Sequence, residues 1–254
     1  MSRDGRAAVV TGGGGAIGRA TAVELGRRGF AVLVVDLDAG LAEETVTAVE
    51  AAGGRAASVA VDVSESEAVD GYVEACHERF GGIDAFFNNA AYAGPIAPIT
   101  EYPLDAFDRA MAVNVRGVFL GLQAVIPAMR RRGGGAILNT SSQAGLRGVT
   151  DLCGYSASKH AVIGLSKAAA LEVAGDGIRV NTLAPGPTDT RMMRGIEAEI
   201  VRQGGDPDAF RARMPVGRYG TPEEIASLAA WVLADAPPFL TGATLSIDGG
   251  LTVP

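Results

Sequence analysis

The chain is poor in the residues that build cross-linked or metal-held proteins. Two cysteines, Cys76 and Cys153, occur in 254 residues, so at most one disulfide could form. Neither stands in a CxxC or Cys/His ligand spacing, which excludes a zinc framework and makes reduced thiols the expectation. Basic charge is also scarce: 22 Lys and Arg stand against 29 Asp and Glu, for a net charge of -7. Nucleic-acid binding draws on clustered cations, and the one basic cluster, Arg130 to Arg132, reads as a solvated helix end. No apolar run approaches the ~20 residues of a membrane span. The N-terminal MSRDGRAAVV lacks the charged-then-apolar pattern of a signal peptide. The expectation is a soluble, cytoplasmic protein with neither nucleic acid nor membrane as partner.

Linkers are missing too. No Pro/Ser-rich stretch, repeat or low-complexity tract divides the chain apart from the glycine clusters at 12 to 15 and 133 to 135, so a single domain over 1-254 is expected. What is abundant is apolar surface: 48% of the residues, ample for a sizeable core. Short β-branched runs recur at 7–11, 31–35, 57–61, 84–87, 136–140, 178–183 and 243–247. Helix-length stretches with apolar residues at three- and four-residue spacing lie between them, as at 20–25, 113–129 and 161–173. Strands alternating with helices predict a doubly wound α/β fold, a parallel sheet of about seven strands covered on both faces. The segment from Pro185 to Pro215 is too long for an ordinary connection. It carries Met192, Met193, Ile196 and Ile200 at helical spacing, which predicts a small helical lid over a substrate pocket, about 188-215.

TGGGGAIGRA, residues 11–20, follows the first strand and opens a helix. Glycines let the backbone approach a pyrophosphate, and the helix N-terminus offers it unpaired N–H groups. Asp36 ends the second strand, 18 positions after Gly18. A carboxylate there accepts hydrogen bonds from a ribose diol and repels a 2′-phosphate. Leu37 follows where a phosphate-binding cation would otherwise stand. These residues point to NAD(H) over NADP(H).

YSASK, residues 155–159, puts Tyr155 and Lys159 one helical turn apart on one face. Moving a hydride between a secondary alcohol and a nicotinamide also requires a proton to move on or off the alcohol oxygen. Lowering a phenol from about 10 to about 7 takes roughly 4 kcal/mol of phenolate stabilisation. A neighbouring ammonium is expected to supply it. A hydroxyl at the end of a preceding strand, Ser142 or its neighbour Ser141, would orient the substrate oxygen.

The spacing of TGGGGAIG, NNA at 88–90, NVRG at 114–117 and YSASK resembles that of the short-chain dehydrogenase/reductase superfamily, from about Gly5 to the DGG at 248–250. The resemblance implies a nicotinamide-dependent oxidoreductase. It implies that Gly12, Gly15, Ile17 and Gly18 hold the pyrophosphate, Asp62 and Val63 the adenine, and Asn89 and Ala90 the adenosine side. Pro185, Gly186, Thr188 and Thr190 match the segment that holds the nicotinamide carboxamide. The family pattern SxxG favours Ser142 over Ser141. The resemblance makes Tyr155 the acid/base, lets Lys159 also bind the nicotinamide ribose, and makes Asn114 support a water-linked proton path through Lys159. Gln143, Leu152 or Cys153, and Met192 fall at pocket positions, with Cys153 a small packing residue. Two departures stand out: Ala16 replaces the second loop glycine and Ala91 the glycine that often follows NNA.

His160 lies one residue around the helix from Lys159 and is expected to point away, and His77 sits on a charged helix. Asp248 in DGG is a lone carboxylate and reads as a turn; no metal is expected. The leading function is interconversion of a secondary alcohol and its ketone. The alternatives are a 3-oxoacyl-thioester reductase and, in another class, a non-catalytic NAD-binding sensor or regulatory subunit. Family relatives commonly form homotetramers, so a homotetramer is implied.

Overall fold

The computed structural model describes residues 5–202 and 204–253. The first four and the last residue of the domain assigned over 1-254, and residue 203 within the lid, lie outside the described residues. Seven strands alternate with helices. They are β1 (Arg6–Thr11), β2 (Phe30–Asp36), β3 (Arg55–Ala60), β4 (Ala85–Asn88), β5 (Gly135–Thr140), β6 (Ile178–Pro185) and β7 (Thr244–Ile247). Each overlaps its predicted run. All pairs are parallel, in the order β3-β2-β1-β4-β5-β6-β7.

Strand side chains alternate between two cores because successive Cβ atoms leave a strand on opposite faces. Val9, Leu33, Phe86 and Ile137 face one core. Against it pack α3 (Ser66–Phe80), α5 (Gly117–Arg132) and α6 (Cys153–Val173), through residues such as Tyr72, Met129 and Val162. Val10, Val34, Phe87 and Leu138 face the other. There α1 (Ala16–Arg27), α2 (Ala39–Ala51) and α9 (Pro222–Ala234) contribute Leu25, Val49 and Ala229. The sheet is thus buried on both sides, which is why its strands read as continuous apolar runs.

The start of α9 shows how sequence fixes an element boundary. The Thr221 hydroxyl accepts from the Glu224 N–H at 3.2 Å, while the Glu224 carboxylate accepts from the Thr221 N–H at 2.8 Å. This reciprocal cap, with Pro222 at the first helical position, satisfies donors the helix cannot.

The predicted helix over 113–129 is not one α-helix. A short α4 (Leu104–Met111) runs into a π-helical segment, Ala112–Arg116, and only then into α5. The cause is local: Asn114 is buried and holds three hydrogen bonds across to neighbouring segments, and a widened turn brings its side chain round to them. The stretch 104–132 is long and apolar enough to cross a membrane by length and composition. Here Val118, Leu122, Val125 and Met129 are spent on packing against the sheet. The predicted lid forms two helices, α7 (Arg191–Arg202) and α8 (Pro207–Arg211).

Candidate active site

Strand order reverses direction at β1, with β2 on one side and β4 on the other. In open α/β sheets this switch point leaves a crevice at the carboxyl ends of the strands. Two cavities open there, of about 620 and 190 Å3. Gly12, Asp36 and Ala90 border both.

The floor of the larger cavity is backbone. Gly12 has φ +61, and a Cβ on it would fall 2.9 Å from Ala90 Cα. A Cβ on Gly18 would fall 2.1 Å from the Gly12 carbonyl oxygen. These two positions are closed to any larger residue, because the turn and the first turn of α1 are folded against each other. Gly15 starts α1 with no side-chain cap, and the first turn of the helix holds no acidic residue. The helix N–H groups are therefore left to a ligand, with a partial positive charge. Ala16 lines this floor beside Gly15, Ile17 and Gly18, so the extra methyl is accommodated in the cavity wall.

At the end of β2 the Asp36 carboxylate accepts from the Gly14 N–H at 2.9 Å and from the Asp38 N–H at 3.0 Å. It is fixed, yet still borders both cavities. Leu37 beside it is 66% exposed and lines the smaller cavity with Asp62 and Val63. Asp62 Oδ1 accepts from the Ser64 N–H and hydroxyl at 2.9 and 2.7 Å, and Oδ2 from Arg109 Nη2 at 2.8 Å. Burial raises its pKa, but the Ser64 and Arg109 contacts together hold it below the usual carboxylate value. Asn89 ties the strand ends together: Nδ2 donates to the Thr11 carbonyl at 3.2 Å, and Oδ1 accepts from the Thr140 hydroxyl at 3.2 Å. A glycine cradle closed to Cβ atoms, an uncapped helix N-terminus and a fixed carboxylate at the adjoining strand end fit a nicotinamide dinucleotide.

Across the cavity stand Ser142, Tyr155 and Lys159. Ser142 lies in extended backbone at the end of β5, and its hydroxyl accepts from the Ala144 N–H at 3.1 Å. Ser141 lines the cavity as well, but its hydroxyl donates to the Lys159 carbonyl at 2.8 Å. The SxxG glycine has its own reason: a Cβ on Gly145 would fall 2.2 Å from Ser141 Oγ. Lys159 Nζ donates to the Thr140 carbonyl at 2.7 Å and lies 5.5 Å from the centre of the Tyr155 ring.

The expected electrostatics of this pair need correction. Burial raises the Tyr155 phenol above its ordinary value, against an opposing hydrogen bond with Ser142. Burial also lowers Lys159 to about 7. Desolvation penalises the charged form of both groups, and the lysine spends a proton on Thr140. Spacing along the helix puts the two on one face but does not aim the ammonium at the phenol oxygen.

Asn114 is not brought to either cavity. Its Oδ1 accepts from the Tyr92 N–H at 2.7 Å, and Nδ2 donates to the Tyr92 carbonyl at 2.8 Å and to Ser158 Oγ at 2.9 Å. Ser158 in turn donates to the Tyr155 carbonyl at 2.7 Å. Asn114 is thus linked through Ser158 to the backbone that carries Tyr155. Gln143, Leu152 and Met192 line the larger cavity; Cys153 does not. Pro185, Gly186, Thr188 and Thr190 line it at the end of β6, where a Cβ on Gly186 would fall 2.7 Å from Asp248 Cα. Asp248 closes a turn, accepting from the Gly250 and Thr252 N–H groups at 3.0 Å each. His160 is exposed, its ring nitrogen 2.9 Å from the Ser156 carbonyl.

Several wall residues carried no sequence signal. Arg109 reaches Asp62 from α4, and Arg147, Phe210 and Arg213 line the larger cavity from loops and the lid. Asp151 also lines it, as the one described non-glycine residue with positive φ, at 62.

The family model described as enoyl-(acyl carrier protein) reductase matches residues 14–252. Levodione reductase of Leifsonia aquatica is 39% identical over 251 residues, spanning 96% of this chain and 93% of that one. Cyclohexanol dehydrogenase of Acinetobacter sp. (strain SE19) is 38% identical over 248 residues, spanning 97% and 95%. The solved structure of an NAD+-bound xylitol dehydrogenase superposes with a TM-score of 0.93 at 36% identity, covering 98% of this chain and 100% of that one. With the parallel seven-stranded sheet and the glycine cradle facing Ser142, Tyr155 and Lys159, these likenesses mean that the chain belongs to the short-chain dehydrogenase/reductase superfamily of oxidoreductases.

Proposed function

We propose that the protein is an NAD(H)-dependent oxidoreductase that interconverts a secondary alcohol and its ketone, with Tyr155 as general acid/base. The observation that carries this reading is the common wall: Ser142, Tyr155 and Lys159 border the same cavity as the glycine cradle of α1. Relatives named for levodione reduction and cyclohexanol oxidation support the reaction class.

The bound nicotinamide supplies hydride transfer to or from the carbinol carbon. Ser142 Oγ holds the substrate oxygen beside the phenol and stabilises charge that develops on it. In the oxidative direction Tyr155 takes the hydroxyl proton; in the reductive direction it returns one. Lys159, with a pKa of about 7, passes a proton at neutral pH and binds the nicotinamide ribose. Asn114 keeps this group in register through Tyr92 and Ser158. Gly12, Gly15, Ile17 and Gly18 receive the pyrophosphate; Asp62, Val63, Asn89 and Ala90 the adenosine; Pro185, Gly186, Thr188 and Thr190 the carboxamide side. Asp36 favours NAD(H) because a 2′-phosphate would meet its charge, and Leu37 offers no cation in return. Gln143, Leu152 and Met192 contact the substrate.

Assembly as a cytoplasmic homotetramer is part of the proposal. It is supported by Phe119 and Leu171, 46% and 85% exposed on α5 and α6.

The test is Tyr155→Phe, assayed with NADH on a ketone panel and with NAD on secondary alcohols. The expected result is a loss of roughly 10³-fold in kcat, the weight of a general acid/base, with NADH affinity within about twofold. Wild-type kcat in that variant would sink the assignment. Turnover of acyl thioesters and of no free ketone would favour the 3-oxoacyl reductase. Tight NADH binding with no turnover on any carbonyl would favour the sensor.

A further inference from the structure

The lid presents an apolar wall to the larger cavity, with Met192, Met193, Ile196, Phe210 and Met214. Three arginines, all solvent-exposed, nevertheless border the same cavity: Arg147, Arg191 and Arg213. Their surroundings differ from those of the other arginines in this part of the chain. Arg194 pairs with Asp189 at 2.8 Å, Arg202 with Glu199 at 2.5 Å, Arg211 with Glu197 at 2.8 Å and Arg218 with Glu224 at 2.7 Å. None of those four lines the cavity.

Arg191 and Arg213 do line it, and among the described residues neither is paired with a carboxylate. Arg213 rests against the Phe210 ring, 5.9 Å from its centre. Arg147 donates Nε to the neutral Gln143 side chain at 2.7 Å. The acids on the cavity wall are Asp36, at the adenosine end, and Asp151. Away from the adenosine end, three exposed arginines thus border the cavity beside one carboxylate, Asp151. Arg191 directly follows Thr190 and stands at the cofactor end. Arg213, from the lid, and Arg147, from the loop after β5, remain for the substrate. A guanidinium presents a planar fork that matches a carboxylate with two parallel hydrogen bonds. A cavity of about 620 Å3 has room for a ring bearing such a group.

We propose that the substrate is an apolar secondary alcohol, or its ketone, that carries a carboxylate remote from the reacting carbon, and that Arg213 and Arg147 bind this carboxylate. The proposal rests on the oxidoreductase reading above and deepens it.

The test compares 4-oxocyclohexanecarboxylate with its neutral isostere 4-methylcyclohexanone, by NADH-linked reduction and by calorimetry on the enzyme–NADH complex. The acid is expected to have the higher kcat/KM by about tenfold or more, the weight of one charge-assisted hydrogen bond, mostly through KM. Added salt should erode that advantage. Arg213→Gln should lower kcat/KM for the acid far more than for the neutral ketone, and Arg213→Lys should restore part of the loss. Equal kcat/KM for the two ketones, or a preference for the acid that survives Arg213→Gln combined with Arg147→Gln in a folded protein, overturns the carboxylate site.

Cyclohexanecarboxylate, which cannot be reduced, separates the two readings. If it binds the NADH complex in an Arg213-dependent way while no ketone is turned over, the oxidoreductase reading fails and the carboxylate site stands. If ketones are reduced but neither acid binds better than its neutral analogue, the carboxylate site alone fails.

Discussion

The two ends of the larger cavity are made of different material. At the cofactor end the wall is main chain, held at contacts that leave no room for a methyl group at Gly12 or Gly18. At the lid end it is flexible side chain, Met192 and Met193 on α7 and Met214 just after α8, and methionine fills irregular space with little cost for rearranging. A wall of backbone can be altered only by moving the strand and helix that carry it. A wall of unbranched side chains can be altered residue by residue. The cofactor end should therefore be intolerant of substitution, and the lid end tunable.

The sharpest way to break this contrast is Gly18→Ala against Met192→Ala. The alanine at 18 must push the turn off the first turn of α1, which should weaken NADH binding, and a misplacement of about 1 Å costs roughly 100-fold in rate, expected in kcat/KM. Calorimetry should read the weaker NADH binding and steady-state assay the loss of rate. Met192→Ala should raise KM by about tenfold, the low end of what a methylene in an apolar pocket is worth, because Met192 is 40% exposed, and leave NADH affinity alone. Comparable NADH affinity in both variants would dissolve the distinction.

A smaller effect is expected where a side chain does shape the cofactor end. Asp36→Ser with Leu37→Arg should move the ratio of kcat/KM for NADPH over NADH by about tenfold or more, by removing a like charge and adding a cation. An unchanged ratio would mean that the ribose is read elsewhere.

The smallest expected effect concerns stability. Lys159 is lowered to about 7 from 10.5, so above pH 7 the unfolded chain binds a proton that the folded chain does not. Folding stability should therefore rise with pH from about 7 to 9. Beyond pH 9 the trend should flatten, because burial pushes Cys76 from 9.0 up to about 12 and ionisation of the unfolded thiol cancels the lysine's slope; it should reverse only above 10.5, where the unfolded lysine also loses its proton. Chemical denaturation of wild type and Lys159→Met across this range checks the sign; the variant should lose the rise.

The same contrast explains what could be read from sequence. Strands buried on both faces write themselves as apolar runs, and a cradle that forbids Cβ atoms writes itself as glycines, so β1 to β7 and TGGGGAIG were legible. Tyr155 and Lys159 were legible as a pair, but not the direction of the lysine, because Thr140 competes for its proton from another strand. The clasp of Arg109 on Asp62 spans 47 positions and leaves no periodic trace. Arg147, Asp151 and Arg213 sit in loops where exposure, not pattern, decides identity. Cys153 was placed at the pocket by position alone, and the cavity passes it by.

The π-helical turn at Ala112–Arg116 has one more consequence. An α-helix advances about 100° per residue, so winding the same residues there as a regular α-helix, with the extra residue of the wide turn kept, would rotate everything downstream by about that angle. Val118, Leu122, Val125 and Met129, which now meet the sheet, would swing toward solvent. The irregular turn is thus a phase-setter for α5, and this helix can be shortened at its ends far more readily than it can be straightened.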